Sequence, residues 1–331
     1  MPAELEDLVP LFRAGRALAW DHHRQHQRWA ERQLMLTARA LGESLRARKS
    51  IPHLSDVEFT VFSQTGEDGI IEWLIQNLPI RSESFIEFGV QDYTESNTRY
   101  LMRNRNWRGF VLDANVTHIE TIRNDDIYWR HDLVAMSAFI TKENVNELLS
   151  RNGGGGGGGG EVGLLSIDID GNDYWVFDAI DVVRPDIVIC EYNAVLGDLH
   201  ALTIPYDCAF QRSIAHPSWL YFGASIRALE QAAARKGYVL VGSNGAGHNA
   251  FFVRAELASH LSIADRSARP SLFRESRAED GSLSHVGGVE RAALIADMPV
   301  LDLETGRTAP LAGHGQLYSR DWQTRMGGRR G

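Results

Sequence analysis

Leu164–Asn193, LLSIDIDGNDYWVFDAIDVVRPDIVICEYN, is the stretch whose reading decides the fold. Leu164–Ile169 is an apolar run of strand length, and it ends in two carboxylates, Asp168 and Asp170, followed by Gly171. Asn172 can cap a helix, and Tyr174, Trp175, Val176, Ala179 and Ile180 supply its apolar face. Arg184-Pro185 is expected to stop that helix, because proline cannot continue one. A second apolar run, Ile187–Cys190, ends in Glu191, Tyr192 and Asn193. Strand, helix, strand is a βαβ unit whose crossover makes the strands parallel. Both acid-bearing ends therefore emerge on one edge of the sheet, the edge where open α/β sheets bind ligands.

Acids at two neighbouring strand ends suggest a hard divalent cation such as Mg²⁺. Mg²⁺ takes oxygen ligands and keeps several waters, so two or three protein ligands are enough. The candidate ligands are Asp170 and Glu191, with Asn193 or Asp168 beside them. Each of these residues could instead cap the helix or turn that follows it. Taken as a set they favour the cation, because solvated caps rarely need so many acids beside apolar strands.

The 331 residues suit one α/β domain with extensions, or two small domains, and 44% hydrophobic content can fill a sizeable core. A net charge of −9 argues against nucleic acid as the main partner. No apolar run is long enough to span a membrane. Met1–Pro10 carries three acids and no basic residue, unlike a signal peptide. Cys190 and Cys208 make no disulfide framework, so a reducing, cytoplasmic setting is expected.

Upstream, FSQTGEDG at residues 62–69 precedes the helical IIEWLIQNL, with Ser63 or Thr65 as candidate caps. SFIEFGV, Ser84–Val90, is the next expected strand and passes through Glu87 and Gly89 into a polar loop and a helix. Strand, glycine, loop, helix is how a doubly wound sheet begins its nucleotide half. The GxGxxG of dinucleotide sites is missing, which leaves room for a cofactor without a pyrophosphate. GFVLD, Gly109–Asp113, is a strand whose terminal acid is placed to accept hydrogen bonds from ribose hydroxyls. IYWRHD, Ile127–Asp132, reads as a weaker strand, again ending in an acid. Downstream, Tyr238–Val241 and Ala250–Val253 flank GSNGAGHN as a β-hairpin. If Tyr238–Val241 runs parallel to the other strands, His248 faces the acidic edge and can act as a base.

Residues 4–49 read as helix, and this segment could form a homo-oligomer or lie over the cleft. His22, His23 and His26 share a face there, but nothing nearby completes a metal site, so a solvated face is the preferred reading. The eight glycines at 153–160 read as a disordered loop. Residues 255–331 lose periodicity and read as an extension that packs on the core or on a second subunit, fraying over Met326–Gly331.

Together these residues resemble a class I S-adenosylmethionine-dependent methyltransferase, and more closely its FkbM-like and sugar O-methyltransferase branches. The resemblance covers about residues 62–254. FIEFGV is similar to the first motif, GFVLDAN to the second, YWRHDL to the third, and LLSIDIDGNDYW with IVICEYN to the fourth and fifth. It implies a doubly wound, mostly parallel seven-stranded sheet over residues 56–254, flanked by an N-terminal helical segment, 1–55, and a C-terminal extension, 255–331. It further implies that Glu87 lies near the methionine part of the cofactor, Gly89 lets the backbone approach it, Asp113 holds the ribose and Asp132 contacts adenine. In metal-dependent relatives the fourth and fifth acids bind Mg²⁺, which points to Asp170 and Glu191. The first motif here lacks the usual second glycine.

The leading expectation is O-methyl transfer to a hydroxyl of a sugar, glycan or glycosylated small molecule, with Mg²⁺ assistance. His248 or Asp168 would take the proton, and Asp170 would orient the hydroxyl through the metal. A glycosyltransferase using Asp168-Ile169-Asp170 as a D-x-D is the alternative enzyme. A non-catalytic binding protein on the same fold is the third reading.

Overall fold

The computed structural model describes residues 3–152 and 160–327. Residues 153–159 of the glycine run, residues 328–331 and the side chain of His23 lie outside the described residues. Two units divide the chain. The first, through Ala47, holds the 43-residue helix α1, Ala3–Leu45. The second begins at Arg48 and contains everything described below.

The sheet of the second unit has seven strands, numbered here in chain order: β1 Ser84–Phe88, β2 Arg108–Asp113, β3 Leu133–Ser137, β4 Glu161–Ile167, β5 Arg184–Glu191, β6 Tyr238–Ser243 and β7 Asn249–Arg254. Their spatial order is β3-β2-β1-β4-β5-β7-β6. The first five are mutually parallel, and β7 enters antiparallel between β5 and β6. This is the expected doubly wound, mostly parallel Rossmann-like arrangement. The order reverses between β1 and β4, and such a switch point opens a crevice outside the carboxyl ends of the strands.

The central strands are mostly apolar because both faces are covered. Phe85, Ile86 and Phe88 of β1, Leu164, Leu165 and Ile167 of β4, and Ile187–Cys190 of β5 are all buried. Each such side chain contributes roughly 1.5–3 kcal/mol of transfer free energy. At the edge opposite the crevice, Asp186 of β5 is fully buried and accepts from Arg81 N at 2.7 Å. The buried Arg254 lies beside it, Nε to Oδ1 3.3 Å.

The helix after β4 runs Asp173–Ala179 and ends on Ile180, four residues before Arg184-Pro185. Those two residues instead open β5, where Pro185 sits in the first register positions opposite Val162. Residues 127–132 are not a strand. Asp125 accepts from Ile127 N and starts a short helix, Asp126–Arg130, and β3 begins only at Leu133. Asp132 consequently precedes β3, and its carbonyl accepts from Gly109 N at the edge opposite the crevice. The N-cap position of the helix Glu67–Asn77 is Gly66, at φ 101°, and not Ser63 or Thr65, but the Ser63 hydroxyl still accepts from Asp68 N in the first turn at 3.1 Å. Asp68 in its first turn reaches back and accepts from Val61, Phe62 and Ser63 N at 2.7–2.9 Å.

The hairpin forms as expected, and β6 runs in the same direction as β5, so residues 244–248 lie at the crevice edge. The helix before it, Ile226–Arg235, is capped by Ser225, whose Oγ accepts from Ala228 N. The residues after Arg254 fold back onto the same unit. Ser262–Asp265 pairs in parallel with Ser50–His53, and Pro299–Asp302 pairs with Leu202–Thr203. Among the described residues, no helix is long and apolar enough to cross a membrane.

Candidate active site

The crevice is a cavity of about 160 Å³ lined by residues from the ends of β1 to β4 and the loops that follow. Gly89, Asp113, Ala138–Ile140, Asp168–Asp170, Asn172 and Phe210 face it. Gly89 follows β1 at φ 75°, a conformation that favours glycine. A Cβ there would lie 1.6 Å from the Asp168 carbonyl oxygen, so the glycine is required by the close approach of the β1 and β4 ends. Asp113 closes β2. Its Oδ2 accepts from Gln91 N at 2.8 Å, and its Oδ1 accepts from Asn115 N at 2.8 Å and lies 3.1 Å from His118 Nδ1. The carboxylate is thereby fixed at the cavity wall with lone pairs left over.

Glu87 is not among the residues that line the cavity. It accepts from Asn97 N at 2.8 Å, Thr98 N at 3.1 Å and the Thr98 hydroxyl, and so braces the loop that leads into helix Arg99–Arg105. Burial pushes it up to about 7, against the lowering effect of those hydrogen bonds. Asp132 contributes nothing to this edge: it is largely exposed and pairs with Arg108 at 3.2 Å.

Three acids converge at the ends of β4 and β5. Oxygens of Asp168, Asp170 and Glu191 lie within 4.8 Å of one another, and among the described residues this is the only such group of three or more potential metal ligands. Asp170 holds φ 56°, an uncommon conformation outside glycine. The neighbouring Asp173 fixes the turn, accepting from Ile169 N at 2.8 Å and Gly171 N at 2.9 Å. Burial, and then repulsion from Asp170, pushes Asp168 well above the usual carboxylate range. Glu191 is raised likewise, by burial and by Asp168. Glu191 Oε2 is buried without a hydrogen-bond partner. An all-oxygen donor set with an orphaned carboxylate oxygen fits a hard divalent cation.

Asn193 does not join them. Its Oδ1 accepts from Val195 N at 2.9 Å, and its Nδ2 donates to the Leu220 and Phe222 carbonyls at 2.8 and 3.0 Å. It is a buried brace for the loop after β5, which explains an amide there without a ligand role. His248 lies at the crevice edge but does not line the cavity. Its Nε2 is 3.1 Å from Ser271 Oγ, and its ring meets Phe273 edge-on at 4.8 Å. Burial lowers its pKa, so the ring is neutral at neutral pH.

Comparison with solved structures returned distant matches, several of them described as methyltransferases. The N-terminal domain of EvdMO1 with SAH bound is 9% identical, with a TM-score of 0.35 over 54% of this chain and 76% of that one. An O-methyltransferase from Bacillus cereus in complex with SAH is 14% identical, with a TM-score of 0.32 over 54% and 74%. The citrinin polyketide synthase CMeT domain is 12% identical, with a TM-score of 0.34 over 57% of this chain. The match spans about half of that structure, 51%. No protein-family model and no curated protein matches the chain. The fold statement therefore rests on the strand order itself.

The residue that sequence reasoning missed is Arg212. Its Nη1 lies 2.6 Å from Asp170 Oδ1 and 3.9 Å from Glu191 Oε1. Its guanidinium carbon stands 3.7 Å from the centre of the Phe222 ring. Arg212 follows the irregular, partly aromatic segment after Glu191, and a single arginine in such a segment carries no pattern that would single it out.

Proposed function

We propose that this chain is an S-adenosylmethionine-dependent O-methyltransferase of the FkbM-like kind, acting on a hydroxyl of a sugar, glycan or glycosylated small molecule. One observation carries the reading: Gly89, Asp113, Asp168 and Asp170 line a single crevice at the switch point of the sheet, and Glu191 stands within 4.8 Å of the two aspartates. A glycine at the first strand end and an acid at the second suit a ribose-bearing cofactor, and the lone glycine suits one without a pyrophosphate.

When bound, S-adenosylmethionine supplies a methyl group that its sulfonium sulfur releases to an incoming oxygen. Asp113 would hold the ribose hydroxyls, and Gly89 would admit the cofactor close to the backbone. Glu87 acts one step removed, by bracing the loop that follows Gly89. Asp170 and Glu191 would hold Mg²⁺, which when bound supplies positive charge that lowers the pKa of the acceptor hydroxyl. Asp168 is the favoured proton acceptor. It lines the crevice beside Asp170, where an acceptor hydroxyl would approach. His248, engaged by Ser271, is the second choice.

A thermal-shift titration with S-adenosylmethionine and S-adenosylhomocysteine, with and without Mg²⁺ and with UDP as a control, tests the reading. Stabilisation of about 2.7 kcal/mol is expected at a hundredfold excess over the dissociation constant. A response to UDP and Mg²⁺ alone would favour the D-x-D glycosyltransferase, and no response to any of them would favour a non-catalytic protein.

A further inference from the structure

Arg212 presents a problem of charge and position. Fully ionised, as cation ligands must be, the three carboxylates carry three negative charges, and among the described residues Arg212 is the only cation within ion-pair distance of any of them. Its Nη1 takes one oxygen of Asp170 at 2.6 Å but stays 3.9 Å from Glu191, whose Oε2 remains without a partner. One guanidinium leaves two negative charges over, the charge of one divalent cation.

The same guanidinium is tied to the segment that follows it. Its Nε donates 2.7 Å to the Trp219 carbonyl, while its flat face covers Phe222. Trp219 holds φ 60°, a conformation that a bulky residue adopts only when its surroundings impose it. The bonds in view at that backbone are Arg212 on its carbonyl and the His216 carbonyl on its N–H, 3.0 Å. The indole is about two-fifths exposed, with the Arg277 guanidinium 5.1 Å from its ring centre. Arg212 thus joins the acidic triad to a strained turn bearing a half-open aromatic ring.

We propose that Arg212 is the built-in counter-ion of the triad, and that a divalent cation entering the triad draws the guanidinium off Asp170 and shifts the Trp219 turn it anchors. Cation occupancy and the position of residues 216–222 are then two readouts of one event. A cation repelled by a guanidinium at ion-pair distance binds more weakly than it would without it, and a ligand can move an equilibrium only through such a difference in affinity. The inference rests on the metal reading of the triad above.

The test is Mn²⁺ binding, followed by loss of the free-ion signal in electron paramagnetic resonance, on the full chain. Wild type is compared with Arg212→Met and Arg212→Lys, each checked for folding by circular dichroism. Arg212→Met is expected to bind Mn²⁺ about tenfold more tightly, and Arg212→Lys, which keeps the charge, to stay near wild type. In parallel, Mg²⁺ is expected to change the tryptophan fluorescence of wild type, with the change lost in Trp219→Phe and in Arg212→Met. Equal Mn²⁺ affinity in wild type and Arg212→Met would overturn the counter-ion while leaving the metal site standing. Mn²⁺ binding with no Mg²⁺-dependent fluorescence change would overturn the coupling. Absence of Mn²⁺ binding in every form would overturn the metal reading itself, and this proposal with it.

Discussion

Gly89→Ala is the sharpest probe of the crevice, because two separable costs meet at one atom. The first is conformational: at φ 75° an L-residue is held in the left-handed region, at a cost of roughly 1–2 kcal/mol. The second is steric. The new Cβ would lie 1.6 Å from the Asp168 carbonyl oxygen and 2.8 Å from its carbon, and both are backbone atoms that cannot rotate aside. Relief requires the ends of β1 and β4 to part by more than an ångström, and overpacking of that kind costs about 1–3 kcal/mol. The sum, about 2–5 kcal/mol, corresponds to a fall in Tm of roughly 4–10 °C at about 2 °C per kcal/mol for a unit of this size. Gly237→Ala is the control. It sits at φ 81° with nothing within 4 Å of the added Cβ, so it bears only the conformational cost. Thermal unfolding by circular dichroism, with and without S-adenosylmethionine, reads both. Gly89→Ala should fall further than Gly237→Ala and lose the cofactor-induced shift that Gly237→Ala keeps. Equal Tm values in the two variants, with the cofactor shift intact in both, would refute the close approach of β1 and β4.

Asp170→Ala should abolish turnover while leaving S-adenosylmethionine binding largely intact; full activity in the variant, or in EDTA, would remove the metal from the mechanism. Asp132→Ala should leave cofactor affinity unchanged within twofold by calorimetry, since its side chain pairs with Arg108 away from the cavity. Asp186→Ala removes the nearest carboxylate from the buried Arg254, which keeps Glu161 and Glu256 within 4.0 Å and the Arg184 and Pro185 carbonyls, and should cost about 1–3 kcal/mol of stability, read by urea unfolding, with no separate effect on ligand affinity. Glu87, pushed up to about 7 by burial, binds its proton more tightly in the folded than in the unfolded chain. It therefore favours the fold below its ordinary value of 4.5, and that advantage is lost as pH rises to 7, by about 3 kcal/mol at 1.36 kcal/mol per unit. Wild type should lose more stability than Glu87→Gln between pH 5 and pH 8, and parallel profiles would contradict the assignment.

The parallel core was legible because buried strands write themselves as continuous apolar runs, and LLSI and DIVICE could be little else. The acids of the triad were legible for the same reason, standing where such runs stop. IYWRHD failed because periodicity in a six-residue apolar stretch does not separate a strand from one helical turn. Asp125, a capping residue placed just ahead of it, was the signal that decides, and with it went Asp132. Asn193 was misjudged because an amide at a strand end serves a turn as readily as a ligand. Arg212 was invisible, since its partners are 42 and 21 residues away in sequence and only the fold brings them together.

The final segment has a bearing on how the loop after β5 can vary. Tyr318 donates its hydroxyl to the Val195 carbonyl, Ser319 N to Asp198, and Leu303 N to the Ala201 carbonyl, while Tyr221 donates to the Pro299 carbonyl. The loop after β5 is thus held along its length by residues about a hundred positions further on. Variation in that loop is not local: a new shape must be matched by a second change far downstream. A recombination junction placed between the two would separate partners that have to be inherited together. Diversification of this loop is therefore expected to travel as a block from Asn193 to Ser319, rather than as single substitutions in the loop.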